Sequence, residues 1–189
     1  MKKGDPRVRY TKMILKESLL ELMKQRPVAK IGIKEICAAA DVSRSTFYTY
    51  YKDVYDLFEQ IAEETLNFVE GIMTNYEVAS MRSQRALLAT TETILQYIAD
   101  NSNSLQVLLG ENGDIGFQTR FFSKFVDLFG RVIKKNAENP VDEKTHECYS
   151  VFVVYGGIGL IRHWLKNNMH IPIPEMARMM LSLTQEARR

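Results

Sequence analysis

Apolar side chains recur at steps of three and four residues through nearly the whole chain, and no sustained strand-type alternation replaces them. Leu15, Leu19 and Leu22 mark one face of a first helix over residues 7–25. Arg26-Pro27 ends it, because a residue before proline is pushed out of helical geometry. Two short helical segments follow, over 33–40 and 44–51, parted by Asp41-Val42-Ser43. Asp53 stands where it can cap a long fourth helix. The apolar face of that helix runs Val54, Leu57, Phe58, Ile61, Thr65, Phe68, Val69, Ile72 and Tyr76.

Farther along, the spacing predicts helices over 83–100 and 104–109, then a loop at Gly110, Gly113 and Gly116. A seventh helix carries Phe117, Phe121, Phe125, Leu128, Phe129 and Val132. Asn139-Pro140-Val141-Asp142 has the chemistry of a helix start: Asn at N-cap, Pro at N1 and an acid at N3. The eighth helix runs from there to about residue 166, and Asn167-Asn168 and Pro172 close it. Pro174 opens a ninth, with Met176, Met180 and Leu183 on its inner face. The expected fold class is all-α, with about nine helices: a three-helix head followed by a C-terminal helical bundle.

Two short helices joined by a three-residue break, with a helix before and a helix after, match helix-turn-helix geometry. Ile36, Ala40, Val42, Phe47 and Tyr51 can turn inward and lock the short helices together. Asp41 stands at the sharp turn, and Asp tolerates a left-handed conformation better than most non-glycine residues. Arg44, Ser45, Thr46, Thr49 and Tyr50 are then left facing outward. Small hydroxyl residues and one Arg can reach base edges and phosphates where bulky apolar residues could not. Ser43 would cap the second short helix, whose amide end also favours a phosphate. Tyr48, Tyr50 and Lys52 can hold the DNA backbone, and Lys34 adds a cation on the first short helix. A small core helix with incidental polar residues has the same outline, since fold does not fix function.

The net charge of +2 hides a division. Residues 1–52 hold twelve Lys and Arg against five Asp and Glu, or +7, which leaves thirteen against eighteen, or −5, for the rest. A basic head on an acidic body points to a polyanion partner for the head. Chance clustering of solvated charges is the alternative.

The run from Glu35 to Leu57, EICAAADVSRSTFYTYYKDVYDL, resembles the signature of TetR/AcrR-type transcriptional regulators, E-I-A-x-x-A-G-V-S-x-x-T-x-Y-x-x-F followed by a charged dipeptide and an apolar residue ending in Leu. With the first helix the resemblance covers about residues 7–65. Tyr155-Gly-Gly-Ile-Gly followed by Trp164-Leu165 is similar to the branch of dihydroxyacetone kinase operon regulators. The resemblance implies nine or ten helices, a homodimer, and Ser43, Arg44, Ser45, Thr46, Tyr48 and Thr49 as a DNA-facing set with Tyr48 on phosphate. It divides the chain into a DNA-binding domain over 1–53 and a ligand-binding and dimerisation domain over 54–189. Three positions depart from the family: Asp41 replaces the turn Gly, Cys37 a buried Ala, and Val54 a phosphate-contacting Lys. Lys52 is the neighbouring cation that could stand in for the last.

Gly156, Gly157 and Gly159 interrupt the apolar eighth helix, at a cost of about 1 kcal/mol each relative to Ala. Close approach of another helix would offset that cost, either from the same subunit or from a partner. Gly156, Gly159, Met176 and Met180 are the candidate dimer contacts. Tyr97, Phe121, Phe125 and Tyr155 are candidates for lining an effector pocket, although aromatics at helical spacing more often belong to a core. Gln96, Gln118, Arg120, His146, Arg162 and His163 are the polar groups available to orient a ligand.

The histidines show no metal-ligand spacing with Cys or carboxylates, so neither a metal nor another cofactor is expected. Phosphate loops, nucleophile elbows and zinc-protease motifs are likewise missing, and catalysis is not expected. Cys37 and Cys148 read as buried free thiols, which fits a cytoplasmic protein. The longest apolar run, eleven residues over 151–161, is too short for a membrane span. The reading is a ligand-responsive regulator, most simply a repressor, that binds a near-palindromic double-stranded operator as a homodimer. The alternative is a co-regulator of the same fold that works mainly through protein–protein contacts.

Overall fold

A computed structural model describes residues 5–80, 83–135 and 142–186. Among them are nine α-helices and no strand: α1 (Pro6–Met23), α2 (Ile33–Ala39), α3 (Arg44–Tyr50), α4 (Val54–Ser80), α5 (Gln84–Asp100), α6 (Ser102–Leu108), α7 (Ile115–Lys135), α8 (Glu143–Lys166) and α9 (Ile173–Glu186). A 3-10 turn at Val28–Lys30, not expected from the periodicity, joins α1 to α2.

Side-chain caps set several helix starts. Asp5 accepts from the Arg7 amide, Ser43 from Thr46 and Ser83 from Ala86. Asp53 accepts from the Asp56 amide at 2.8 Å, the cap expected for the fourth helix. The expected start at Asn139-Pro140-Val141 lies outside the described residues. Asp142 is itself the N-cap of α8 and accepts from the Lys144 and Thr145 amides, so it is not at N3. Asp41 has φ of 52°, the left-handed turn expected of it. Asn168 and Met169 repeat that conformation after α8, where the Met169 amide donates to Trp164 O at 2.9 Å.

The chain separates into two compact units. The first takes Met1–Leu66 together with Asn103–Gln118. Leu15, Leu19 and Met23 of α1, Ile36 of α2, Phe47 of α3 and Leu57 and Phe58 of α4 are fully enclosed. Leu108 joins them from α6, and Phe117 from α7 meets Phe58 edge to face. Asn103 donates to Glu21 and Asn112 to the Lys24 carbonyl, which ties this later segment to α1. Gly110 and Gly113 are required in the linking loop, since a Cβ on either would run into the carbonyls of Gln106 and Leu108.

The second unit takes Asn67–Ser102 and Thr119–Arg189. Its core gathers Leu95 of α5, Trp164 and Leu165 of α8, and Met176 and Ala177 of α9. Trp164 Nε1 donates to Ile171 O at 2.8 Å, holding the α8–α9 corner. Trp164→Phe leaves that carbonyl unpaired and the site underfilled, so it should cost about 1–3 kcal/mol in a denaturant melt. An unchanged midpoint would mean the corner is held by other contacts.

Candidate nucleic-acid interface

α3 is a seven-residue helix, too short to persist alone, and its place depends on what it buries. Phe47 is 0% exposed and packs on Tyr51, with ring centroids 5.6 Å apart. The opposite face is open. Arg44, Ser45, Tyr48 and Thr49 are exposed, and Thr46 and Tyr50 are half-buried. Tyr48 remains 58% exposed while its ring edge leans on Phe47.

At the head of α3, Ser43 Oγ accepts from the Thr46 amide at 3.1 Å. It also lies 2.7 Å from Ser45 Oγ and 2.9 Å from Thr46 Oγ1. Thr49 Oγ1 donates to Ser45 O at 2.9 Å. The hydroxyls are thus pre-set by local bonds: Ser43 Oγ is used up by its three contacts, while the Ser45, Thr46 and Thr49 hydroxyls keep a lone pair for an incoming group. Lys34 and Lys52 are exposed cations on either side of α3 in the chain.

Three contacts that the spacing did not reveal brace this surface. Arg26 forms an ion pair with Glu35, whose other carboxylate oxygen accepts from the Gly32 amide at 3.0 Å. The Gly32 amide and then Arg26 hold the Glu35 carboxyl below its ordinary pKa. Asp56 accepts from the Lys52 amide at 2.8 Å, which fixes the backbone beneath that lysine. The Asp56 carboxyl is held below its ordinary pKa chiefly by this bond, with burial opposing. Lys12 of α1 places its ammonium over the rings of Tyr50 and Tyr51. Tyr51 OH is enclosed without a partner, and burial pushes its pKa up to about 12.

Among the described residues no group of His, Cys, Asp or Glu is arranged to hold a metal ion. Nor is any helix of them long and apolar enough to cross a membrane. Cys37 is buried, and burial raises its thiol pKa, with Arg44 opposing. Cys148 is exposed, contrary to the buried position expected from its apolar setting, because it lies on the outer side of α8.

The other candidate positions belong to the second unit. Tyr97 stacks on Phe68. Phe121, which is buried, contacts Phe122 and Phe125, and Phe122 stacks on Tyr155 at 5.0 Å. Tyr155 is nevertheless 53% exposed. Among the described residues, nothing beyond the chain neighbours and the helix's own backbone comes within 4 Å of a Cβ built on Gly156 or Gly159. Gly157 faces Met180 Cε at 3.8 Å. Met176 is 0% exposed and lies in the second unit's core, on the inner face expected of it. Gly130 of α7 lies close to another helix, opposite Ser150 and His146 of α8.

Residues 17–61 match the family described as bacterial regulatory proteins, tetR family. Residues 86–186, more than half of the chain, match the transcriptional regulator C-terminal region of the same family. The chain belongs to the TetR family of transcriptional regulators. A curated relative, the uncharacterised HTH-type transcriptional regulator YxbF of Bacillus subtilis, is 24% identical over 163 residues. That match takes in 82% of this chain but spans only 39% of the relative's length. The fold is similar to that of SmeT in its triclosan complex, with a TM-score of 0.70 at 13% identity over 94% of this chain and 90% of that one. NalD of Pseudomonas aeruginosa, the secondary repressor of the MexAB-OprM efflux pump, gives 0.68 at 17% identity over 97% and 98%. The dihydroxyacetone kinase operon activator DhaS gives 0.60 at 18% identity over 93% and 94%.

Proposed function

We propose that this TetR-family regulator is a cytoplasmic homodimer that represses transcription from a near-palindromic operator until a small effector releases it. The observation that carries the reading is the open hydroxyl and guanidinium face of α3, seated on the buried ring of Phe47. Arg44, Ser45, Thr46 and Thr49 would read bases in the major groove, and Tyr48, Tyr50, Lys34 and Lys52 would hold phosphates, with Ser43 capping the helix. Two such helices in a dimer would enter successive grooves about 34 Å apart. Residues 1–53 carry the DNA contacts, and 54–189 carry the effector site and the dimer contacts.

Support for the dimer comes from α8. Phe152, Tyr155, Gly156 and Gly159 fall at one helical face, all exposed, with Met179 and Leu183 exposed on α9. Large side chains left open beside helical glycines fit a partner's helix approaching closely. Within the second unit, the aromatic run from Phe125 through Phe121 and Phe122 to Tyr155, with Tyr97 on Phe68, favours an apolar, ring-bearing effector. A protein of this fold, SmeT, forms a complex with triclosan. An effector that prefers one conformation of the dimer would change its DNA affinity by linkage.

Selection of duplexes from a random-sequence pool tests the reading directly. The enriched site should be two-fold symmetric, with half-sites one helical turn apart and a steep fall of affinity with salt. A protein that enriches nothing and ignores salt would be a co-regulator acting through other proteins. With that site in hand, Tyr48→Ala should weaken binding to every sequence alike. Arg44→Ala and Thr46→Ala should each cost about 1–3 kcal/mol at one base position and relax preference there. Equal, sequence-independent losses from all three would leave no base readout in α3.

A further inference from the structure

Six cations of the first unit, Arg7, Arg9, Lys12, Lys16, Lys24 and Arg26, lie on α1 or just after it, and Lys12 is the one seated over aromatic rings. Lys16 pairs with Glu64, Lys24 with Glu21 and Arg26 with Glu35. Lys12 pairs with no carboxylate among the described residues. Its ammonium sits 5.8 Å from the ring centroid of Tyr50 and 5.7 Å from that of Tyr51. Aromatic faces orient a cation without neutralising it. Of the nearby acids, Glu64 is taken by Lys16, whereas Asp56, bonded to the uncharged Lys52 amide and Gln60, feels the Lys12 charge without forming an ion pair with it.

The seat of Lys12 places it at the DNA-facing helix. Tyr51 is buried and anchors one ring, whereas Tyr50 is the half-buried last residue of α3 and Lys52 beyond it is exposed. Val54, which opens α4, is buried and offers no charge there. Positive charge at the corner between α3 and α4 therefore comes from Lys52 and from Lys12, the latter supplied across space by α1. A positive charge at that corner also suits the C-terminal end of α3, where carbonyls accumulate.

We propose that Lys12 is a DNA-phosphate contact, held in place by Tyr50 and Tyr51 and acting with Lys52 at the end of the recognition helix. This rests on the DNA-binding reading above. The test compares wild type, Lys12→Met and Lys12→Arg on duplexes three helical turns long drawn from the random-sequence pool, across a range of salt. Met keeps the stem over the rings and removes the charge; Arg keeps the charge. For a dimer, Lys12→Met should flatten the log–log salt slope by about 1.8, one contact per subunit, and weaken binding on the order of tenfold at low salt. Lys12→Arg should keep the wild-type slope. A purely structural lysine would lower affinity, if at all, without moving the slope.

Amine acetylation of the wild-type protein adds a readout that needs no variant: Lys12 should be protected severalfold when the duplexes are bound. A folded Lys12→Met protein with the wild-type slope, or Lys12 labelled equally with and without DNA, overturns the assignment and leaves the DNA reading standing. Wild-type protein whose affinity for these duplexes ignores salt overturns the DNA reading itself, and this assignment with it.

Discussion

Phe47→Ala should abolish DNA binding and destabilise the first unit by about 3–5 kcal/mol. Phe47 is the side chain that α3 buries, with no exposed surface, and its ring meets both Tyr48 and Tyr51. Removing it leaves a cavity beneath a helix of seven residues. Such a helix has little propensity of its own to fall back on, because helices under about 12 residues are marginal in water. With a urea slope of about 1–3 kcal/mol per molar, the midpoint should fall by on the order of 2 M. Phe47→Leu, which keeps most of the volume, should cost less than about 1.5 kcal/mol and retain binding. DNA affinity unaffected by the Ala variant would mean that α3 is not the reading element.

Phe152→Lys tests the proposed dimer. Phe152 is 65% exposed within its own subunit, so the change removes little from the subunit's core and puts a charge on the open face of α8. Buried aromatic anchors at interfaces are worth about 2–4 kcal/mol each, and a two-fold axis repeats the substitution on both subunits. The dimer dissociation constant should rise by about a thousandfold or more, at tenfold per 1.4 kcal/mol. Sedimentation velocity should show a monomer at micromolar concentrations with its helical circular dichroism intact. Operator affinity should fall as well, since one subunit holds only one half-site. A variant that remains dimeric would place the dimer contact elsewhere.

Much of this molecule could be read from residue order because the relevant physics is local. Ser43 and Asp53 cap helices through bonds to amides three residues on, and Asp41 takes the left-handed turn its short polar side chain tolerates. Ile36, Phe47 and Tyr51 turned inward as their spacing required. Where the forecast slipped, the cause was also specific. Cys148 and Leu183 were both expected to face inward and are exposed, whereas Met176, on the same helix as Leu183, is enclosed as expected. Periodicity identifies a face but not what lies opposite it.

Periodicity and capping chemistry, each acting within a turn or two of helix, were enough to define the nine helices among the described residues, the bend at Asp41 and the polar character of α3's outer face. Contacts between segments far apart in the chain were settled only by folding. The ammonium of Lys12 over Tyr50 and Tyr51, the attachment of residues 103–118 to the first unit, and the open space around Gly156 and Gly159 are of this kind. Each depends on how whole helices stack, and that arises from many small packing terms summed over the core, which no single short stretch of residues encodes.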